Sequence, residues 1–166
     1  MKIAIISDSH DNVVNLEKLI NWLNENKISV LIHAGDLCAP AILSKVLATK
    51  FTGQIHLILG NVGDHKTLEK IAGQFKNVIY YGTRGEIELD GRKIIFVHFP
   101  EEAENLTLTD KPSLVVFGHT HFSEIKTINE IKVVNPGTIG GLFNRATFAI
   151  YDTKNEEVEL KELEDL

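Results

Sequence analysis

The sequence predicts an α/β fold built on two β-sheets, and three observations carry that expectation. Short β-branched runs alternate with amphipathic stretches through the first half of the chain. Hairpin signals crowd the second half. The strongly apolar runs end, one after another, in Asp, Asn or His. No stretch reads as a linker, an internal repeat or a low-complexity segment, so residues 1–166 are expected to form one domain.

The elements follow in order. KIAIIS from Lys2 and SVLIHAG from Ser29 have the length and β-branched content of buried parallel strands. QIHLILG from Gln54 and SLVVFGH from Ser113 read the same way. Between the first two lies a helical stripe of Val13, Leu16, Leu19, Ile20 and Leu23, with Asn12 placed to cap it. PAILSKVLATK from Pro40 and DHKTLEKIAGQF from Asp64 read as two more helices, the second capped by Asp64. This β-α-β-α-β-α order implies a parallel sheet with right-handed crossovers. GEIELDGRKIIFVH then signals a hairpin turning at Asp90-Gly91. Two more are expected, turning near Asn129-Glu130 and near Lys154-Asn155. A second sheet packed on the first would bury these later strands.

Composition narrows the function classes. Hydrophobic residues make up 43% and charged residues 24%, the balance of a globular protein. There are 17 basic and 23 acidic residues, a net charge of −6. That balance argues against a broad basic surface for extended nucleic-acid binding. It leaves room for a metal enzyme acting on phosphates, because bound cations reverse the local sign. Cys38 is the sole cysteine, so no internal disulfide is expected. No apolar run approaches the roughly 20 residues of a membrane span. MKIAIISD is too short for a signal peptide, and a cytoplasmic location is the expectation.

The polar residues at the strand ends carry the chemistry. The first strand delivers Asp8 and His10, spaced i, i+2 and so expected on one side of extended backbone. The second delivers Asp36, the third Asn61, and IIFVH ends on His98. LVVFGHTH ends on His119 and His121, again i, i+2. In open α/β sheets, ligands bind beyond the carboxyl ends of strands. Each residue alone could be turn chemistry or packing, but seven donors from five strands at one edge point jointly to metal. One zinc site takes three or four ligands, so the set suits two ions about 3.5–4 Å apart sharing a carboxylate. Mixed carboxylate, amide and imidazole donors fit Mn²⁺ first, with Ni²⁺, Fe²⁺ or Zn²⁺ as alternatives, better than Mg²⁺ or Ca²⁺. Such a pair suits phosphate-ester hydrolysis.

Asp8-Ser9-His10, Gly35-Asp36, Gly60-Asn61, Val97-His98 and Gly118-His119-Thr120-His121, in that order, resemble the calcineurin-like metallophosphoesterases. The short chain and the VVNPGT segment at Val133 to Thr138 are most similar to the small YfcE-like phosphodiesterase branch. The resemblance runs from Lys2 to about Asp152. It implies a four-layer αββα sandwich of two mixed sheets flanked by helices. It also implies two divalent cations, one held by Asp8, His10 and His121 and the other by Asn61, His98 and His119, with Asp36 bridging. A metal-bridging hydroxide would attack phosphorus in line, with Asp36, Asn61 and His98 serving the reaction through that hydroxide and by positioning phosphate. The expected substrate is a small phosphodiester.

Two departures from the family pattern stand out. Gly60-Asn61-Val62-Gly63-Asp64 is one residue longer than usual, and Val62 stands where larger relatives place a protonating histidine. His65 is the nearest substitute, although the solvent-facing first turn of a helix is the simpler expectation for it. After His98, Phe99-Pro100 replaces the family's Gly-His, and Phe99 is read as either a stacking surface or a core side chain. Asp11 is close enough in sequence to orient His10, Asn135 reads as a turn former near the site, and His33, Cys38 and His56 match no ligand position. Two other functions compete: a protein-binding scaffold like the retromer subunit of the same fold, and a nuclease or RNA-processing enzyme. A homo-oligomer is compatible with all of these.

Overall fold

The structure is a computed structural model that describes residues 1–166. In chain order the first half holds β1 (Lys2–Ile6), α1 (Val13–Glu25), β2 (Val30–His33), α2 (Pro40–Ile42), α3 (Ala48–Lys50), β3 (Gln54–Leu57), α4 (His65–Ala72) and β4 (Val78–Tyr80). The second half holds β5 (Gly85–Leu89), β6 (Arg92–Phe96), α5 (Pro100–Thr109), β7 (Leu114–Val116), β8 (Ser123–Ile128), β9 (Ile131–Pro136), β10 (Thr147–Asp152) and β11 (Glu157–Glu162).

One sheet has the order β11-β10-β1-β2-β3-β4, and the other β5-β6-β7-β9-β8. In the first, β1 to β4 run parallel, as the crossover pattern predicts. The second is mixed, because β7 lies parallel between β6 and β9. The strands of β1 show why its sequence is apolar throughout. Ala4 and Ile6 pack into the layer shared with the helices, while Ile3 and Ile5 pack against the other sheet. A strand covered on both faces has no solvent side on which to alternate. Across the second sheet, Ile95, Val97 and Val115 meet Ala103 and Leu106 of α5. The layers are therefore helices, sheet, sheet, helix.

Local signals acted as predicted where their chemistry is backbone-specific. Asn12 Oδ1 accepts the Asn15 N–H at 3.1 Å and Asp64 Oδ1 accepts that of Thr67 at 3.1 Å, so both helices start at their caps. Asp90 and Gly91 sit at φ +52° and +73°, the left-handed pair that a two-residue hairpin requires. Asn129 and Glu130 do the same at +50° and +67°.

Four features differ from expectation. The β10–β11 hairpin joins the first sheet, with Lys2 opposite Asp152, instead of adding to the second. The expected helix from Pro40 is interrupted by a π-helical turn, Leu43–Leu47, in which the Ala48 N–H reaches back to the Leu43 carbonyl. The widened turn still buries Leu43, Val46 and Leu47. Strand β4 was not foreseen, since it is short and leaves Ile79 exposed. Nor was α5, whose buried residues are few, although Pro100 at its first turn followed by Glu101 and Glu102 is a start signal. No helix is long and apolar enough to cross a membrane.

Candidate metal centre

The loops that follow β1, β2, β3, β6 and β7 meet at one edge of the sandwich, and they bring all seven expected donors together. The alignment does not come from strand alternation, as the i, i+2 spacings suggested. Strand β1 stops at Ile6, and Asp8 and His10 lie in left-handed backbone at φ +53° and +41°. Asp36, His119 and His121 do likewise at +57°, +67° and +61°. Left-handed backbone outside glycine costs roughly 1–3 kcal/mol per residue, so such clustering needs bracing from neighbours. Backbone bonds supply it: Asp8 N–H to Gly35 O at 3.0 Å, His10 N–H to Asp36 O at 3.1 Å, and Asp36 N–H to Leu59 O at 2.9 Å. Gly118 N–H to His98 O braces the loops after β6 and β7 within the second sheet, and Gly140 N–H to Asp8 O joins the loop after β9 to the first sheet. Two glycines make the close approach possible. A Cβ on Gly60 would fall 2.3 Å from Asp36 Oδ1, and one on Gly118 would fall 2.0 Å from Ser7 Oγ.

Two donor groups form side by side. In the first, His121 Nε2 lies 3.2 Å from Asp8 Oδ1 and 3.1 Å from His10 Nε2. Asp8 Oδ1 is fully buried and has no hydrogen-bond partner. A buried carboxylate oxygen facing two imidazole nitrogens, otherwise unsatisfied, suits a cation between them. In the second, Asn61 Oδ1 lies 2.9 Å from both His98 Nε2 and His119 Nδ1, and Asp36 Oδ2 is 3.5 Å from His98 Nε2. By distance, Asp8 belongs to both clusters of acidic and imidazole donors, one with His10 and His121 and one with Asp36 and His98. Asp8 also accepts the His119 N–H on Oδ2 at 3.0 Å, which locks it between the two sheets.

Electrostatics follow from burial and partners. Burial pushes the Asp36 carboxyl up, but His98 and the N–H groups of Val62 and Asn61 outweigh it and hold the carboxyl below its usual range. Burial pushes His98 down, and Asp36 and the Ala34 carbonyl reverse this, leaving it raised. The His98 Nδ1–H donates to Ala34 O at 2.8 Å, which turns Nε2 toward Asn61 and Asp36.

The surrounding residues follow their sequence reading in part: His33 and His56 pack, and His65 stands exposed on the first turn of α4. Asp11 does not orient His10: its Oδ1 accepts the Ala39 N–H at 2.9 Å. Cys38 Sγ takes that place, 3.4 Å from His10 Nδ1, a contact no sequence spacing announced. His33 is fully buried with Nε2 3.0 Å from Ser9 Oγ, and burial drives its pKa to about 3. It is a neutral packing group. His56 pairs with the Tyr81 hydroxyl at 2.8 Å, and the exposed His65 with that of Tyr80 at 2.6 Å. Phe99 is neither a free stacking face nor a core side chain. Its ring sits edge-on against His98 and His119, with centroids 5.2 and 4.9 Å away.

Asn135 does more than form a turn. Its buried amide donates to Gly118 O and Thr120 Oγ1, both at 2.9 Å, and accepts the Gly137 N–H at 2.8 Å. It thus ties the loop carrying His119 and His121 to β9. Asn135→Ala is expected to lower stability by about 2–4 kcal/mol, since each stranded buried partner costs roughly 1–3 kcal/mol. Urea denaturation of the metal-free protein measures this directly, and a shift under 1 kcal/mol would show the loop held by other means.

Residues 1–156 match the calcineurin-like phosphoesterase superfamily domain. The chain is 27% identical over 162 residues to phosphodiesterase MJ0936 of Methanocaldococcus jannaschii, covering 95% of this chain and 96% of that protein. Among solved structures, an archaeal phosphodiesterase superposes with TM-score 0.87 at 25% identity, covering 98% of this chain and 99% of the other. Vps29 of Entamoeba histolytica, complexed with Zn²⁺, superposes with TM-score 0.69 at 16% identity over 98% and 99% of the two chains, and shares the fold. Strand order, edge geometry and family match agree: the chain belongs to the calcineurin-like phosphoesterase superfamily.

Proposed function

We propose that this chain is a single-domain, divalent-metal-dependent phosphodiesterase that hydrolyses small phosphodiesters at a dinuclear site in the cytoplasm. The observation that carries the proposal is the convergence of His10 Nε2 and His121 Nε2 on the buried Asp8 Oδ1, directly beside the Asp36–Asn61–His98–His119 group. Its relative's name, phosphodiesterase, supports the same reaction class. Asp8, His10 and His121 would hold one cation, and Asn61, His98 and His119 the other. Asp36 would serve both through Oδ2, because Oδ1 already accepts from Asn61 N–H at 2.8 Å and Val62 N–H at 2.9 Å. Divalent cations bound there, Mn²⁺ foremost, acidify water and offset phosphate charge.

The protein's own residues account for the rest. Asp36 and His98 hold one another in a fixed orientation, and Asn61 keeps its carbonyl aimed at the same point. Neither position considered for a general acid, Val62 or His65, offers a proton to the centre. Val62 is aliphatic, and His65 is turned to Tyr80 on the exposed first turn of α4. Substrates with good leaving groups are therefore favoured, since general-acid help contributes about 10²- to 10⁴-fold for poor ones. The acidic net charge supports small substrates over nucleic acid. Exposed Val62, Phe122, Leu142 and Phe143 lie in loops at the metal edge, which supports substrate contact there, while exposed Ile79, Leu108 and Ile125 are scattered over β4, α5 and β8.

The test is to strip the protein with chelator and return Mn²⁺, Ni²⁺, Zn²⁺ or Mg²⁺ singly. Hydrolysis of a 4-nitrophenyl phosphodiester and of the matching monoester is then followed. The expected result is no turnover without metal, restoration by Mn²⁺, and a clear preference for the diester. Binding of two ions without turnover of either ester would overturn the enzyme reading, and failure to bind metal would overturn the site.

A further inference from the structure

Beside the metal edge lies a surface cavity of about 200 Å³, lined by His121, Phe122, Asn144 and Arg145 among others. It begins at a candidate metal ligand, and so adjoins the place where the ester substituents of a phosphodiester held at the centre would extend. The Asn144 amide fastens this wall to the centre by donating to the His121 carbonyl at 3.3 Å. One exposed aromatic residue lines the cavity, and a second stands next in chain to a residue of its wall. Phe122 is 65% exposed, and Phe143, next in chain to Asn144, is 100% exposed. Phe143 also holds φ +65°. Left-handed backbone is a true outlier for a bulky side chain, and an uncovered phenyl ring adds the cost of hydrating its apolar surface. Both costs are met at one residue, adjacent in chain to Asn144 of the cavity wall. Phe99 is different, because its ring is already packed on His98 and His119.

The charge in the cavity says what kind of substituent fits. Arg145 is paired with Glu162 at 2.6 Å, and both line the cavity, so it presents no net positive charge. A second phosphate or carboxylate would find no free cation there. A neutral planar ring would find aromatic faces for stacking, an amide, and a guanidinium edge. Resting on the phosphodiesterase reading above, we propose that Phe122, Phe143 and Asn144 form a specificity subsite for a neutral planar aromatic substituent, such as a nucleobase or aryl group, on the phosphodiester.

The experiment uses Mn²⁺-loaded full-length protein and three diesters that share 4-nitrophenoxide as leaving group. The retained group is methyl, phenyl or thymidine joined through its 5′ oxygen. In the wild type, kcat/KM is expected to favour the phenyl and thymidine esters over the methyl ester. Phe122→Ala and Phe143→Ala are each expected to cut that ratio by about 2- to 12-fold. Leu108→Ala, an exposed apolar residue at the far end of α5, should leave the ratio alone. Calorimetric binding of thymidine 5′-monophosphate against methyl phosphate gives a second readout, with the same variants weakening only the former. Equal efficiency for all three esters in the wild type overturns the subsite while leaving the diesterase reading intact. A ratio untouched by both variants, or a dimer that Phe143→Ala dissociates with the ratio unchanged, overturns it too. Absence of turnover with all three esters and every metal instead rejects the diesterase itself.

Discussion

Asp36→Asn is expected to lower metal-dependent diester hydrolysis by about 10²- to 10³-fold, the range for losing one fixed electrostatic contact to developing charge. The substitution keeps the shape of the side chain. The Asn carbonyl can still accept the N–H groups of Asn61 and Val62, which lie 2.8 and 2.9 Å from Asp36 Oδ1. The fold at Gly60-Asn61 should therefore survive, and thermal denaturation should move little. What disappears is the negative charge on Oδ2, 3.5 Å from His98 Nε2. An amide nitrogen there repels a cation instead of attracting it. Stoichiometry by calorimetry should fall from two Mn²⁺ to one or none. The group most affected should be the one built on Asn61, His98 and His119. A variant that keeps both ions and its turnover would remove Asp36 from the bridging role and pass it to Asp8, the carboxylate common to both donor clusters.

That ambiguity between two carboxylates marks where sequence reading gives out. The order Asp8, His10, Asp36, Asn61, His98, His119, His121 was visible because each residue follows an apolar run, and strand ends in parallel sheets share an edge. The hairpin at Asp90-Gly91 was visible because few residue pairs tolerate left-handed backbone in succession. The aim of each ligand was not. Asp8 and His10 are turned by left-handed loops that look, in sequence, like an extended continuation of β1. The contact of Cys38 with His10 spans 28 residues and depends on how two such loops nest. Helix α5 escaped because only Ala103, Leu106 and Thr107 are buried, so its stripe is thin and its start signals stand alone. Strand β10 was legible as a strand but not as a neighbour of β1, since pairing between chain ends leaves no local mark.

Asp8→Asn should separate stability from function more sharply than any other change in the molecule. Asp8 is fully buried, and Oδ2 is satisfied by the His119 N–H while Oδ1 has no partner. In metal-free protein that lone oxygen is a standing cost, on the order of 1–3 kcal/mol for an unsatisfied buried polar group. An Asn carbonyl can keep the His119 bond, and its amide can donate to His121 Nε2, which lies 3.2 Å from Asp8 Oδ1. Metal-free Asp8→Asn is thus expected to be more stable than metal-free wild type by about 1–3 kcal/mol, read from urea midpoints at unchanged slope. Added Mn²⁺ should reverse the order. A ligand at 100 times its Kd stabilises the wild type by about 2.7 kcal/mol per site, a gain the variant largely forgoes. Diester turnover should meanwhile fall with the lost cation. Sites that bind cations carry unpaired charge that the fold alone would not choose, and the crossing of these two stability curves tests that directly. If the metal-free variant is instead destabilised, Asp8 serves mainly as the clasp between Ser7-Asp8 and the His119 loop, and the case for a cation beside Oδ1 loses its physical basis.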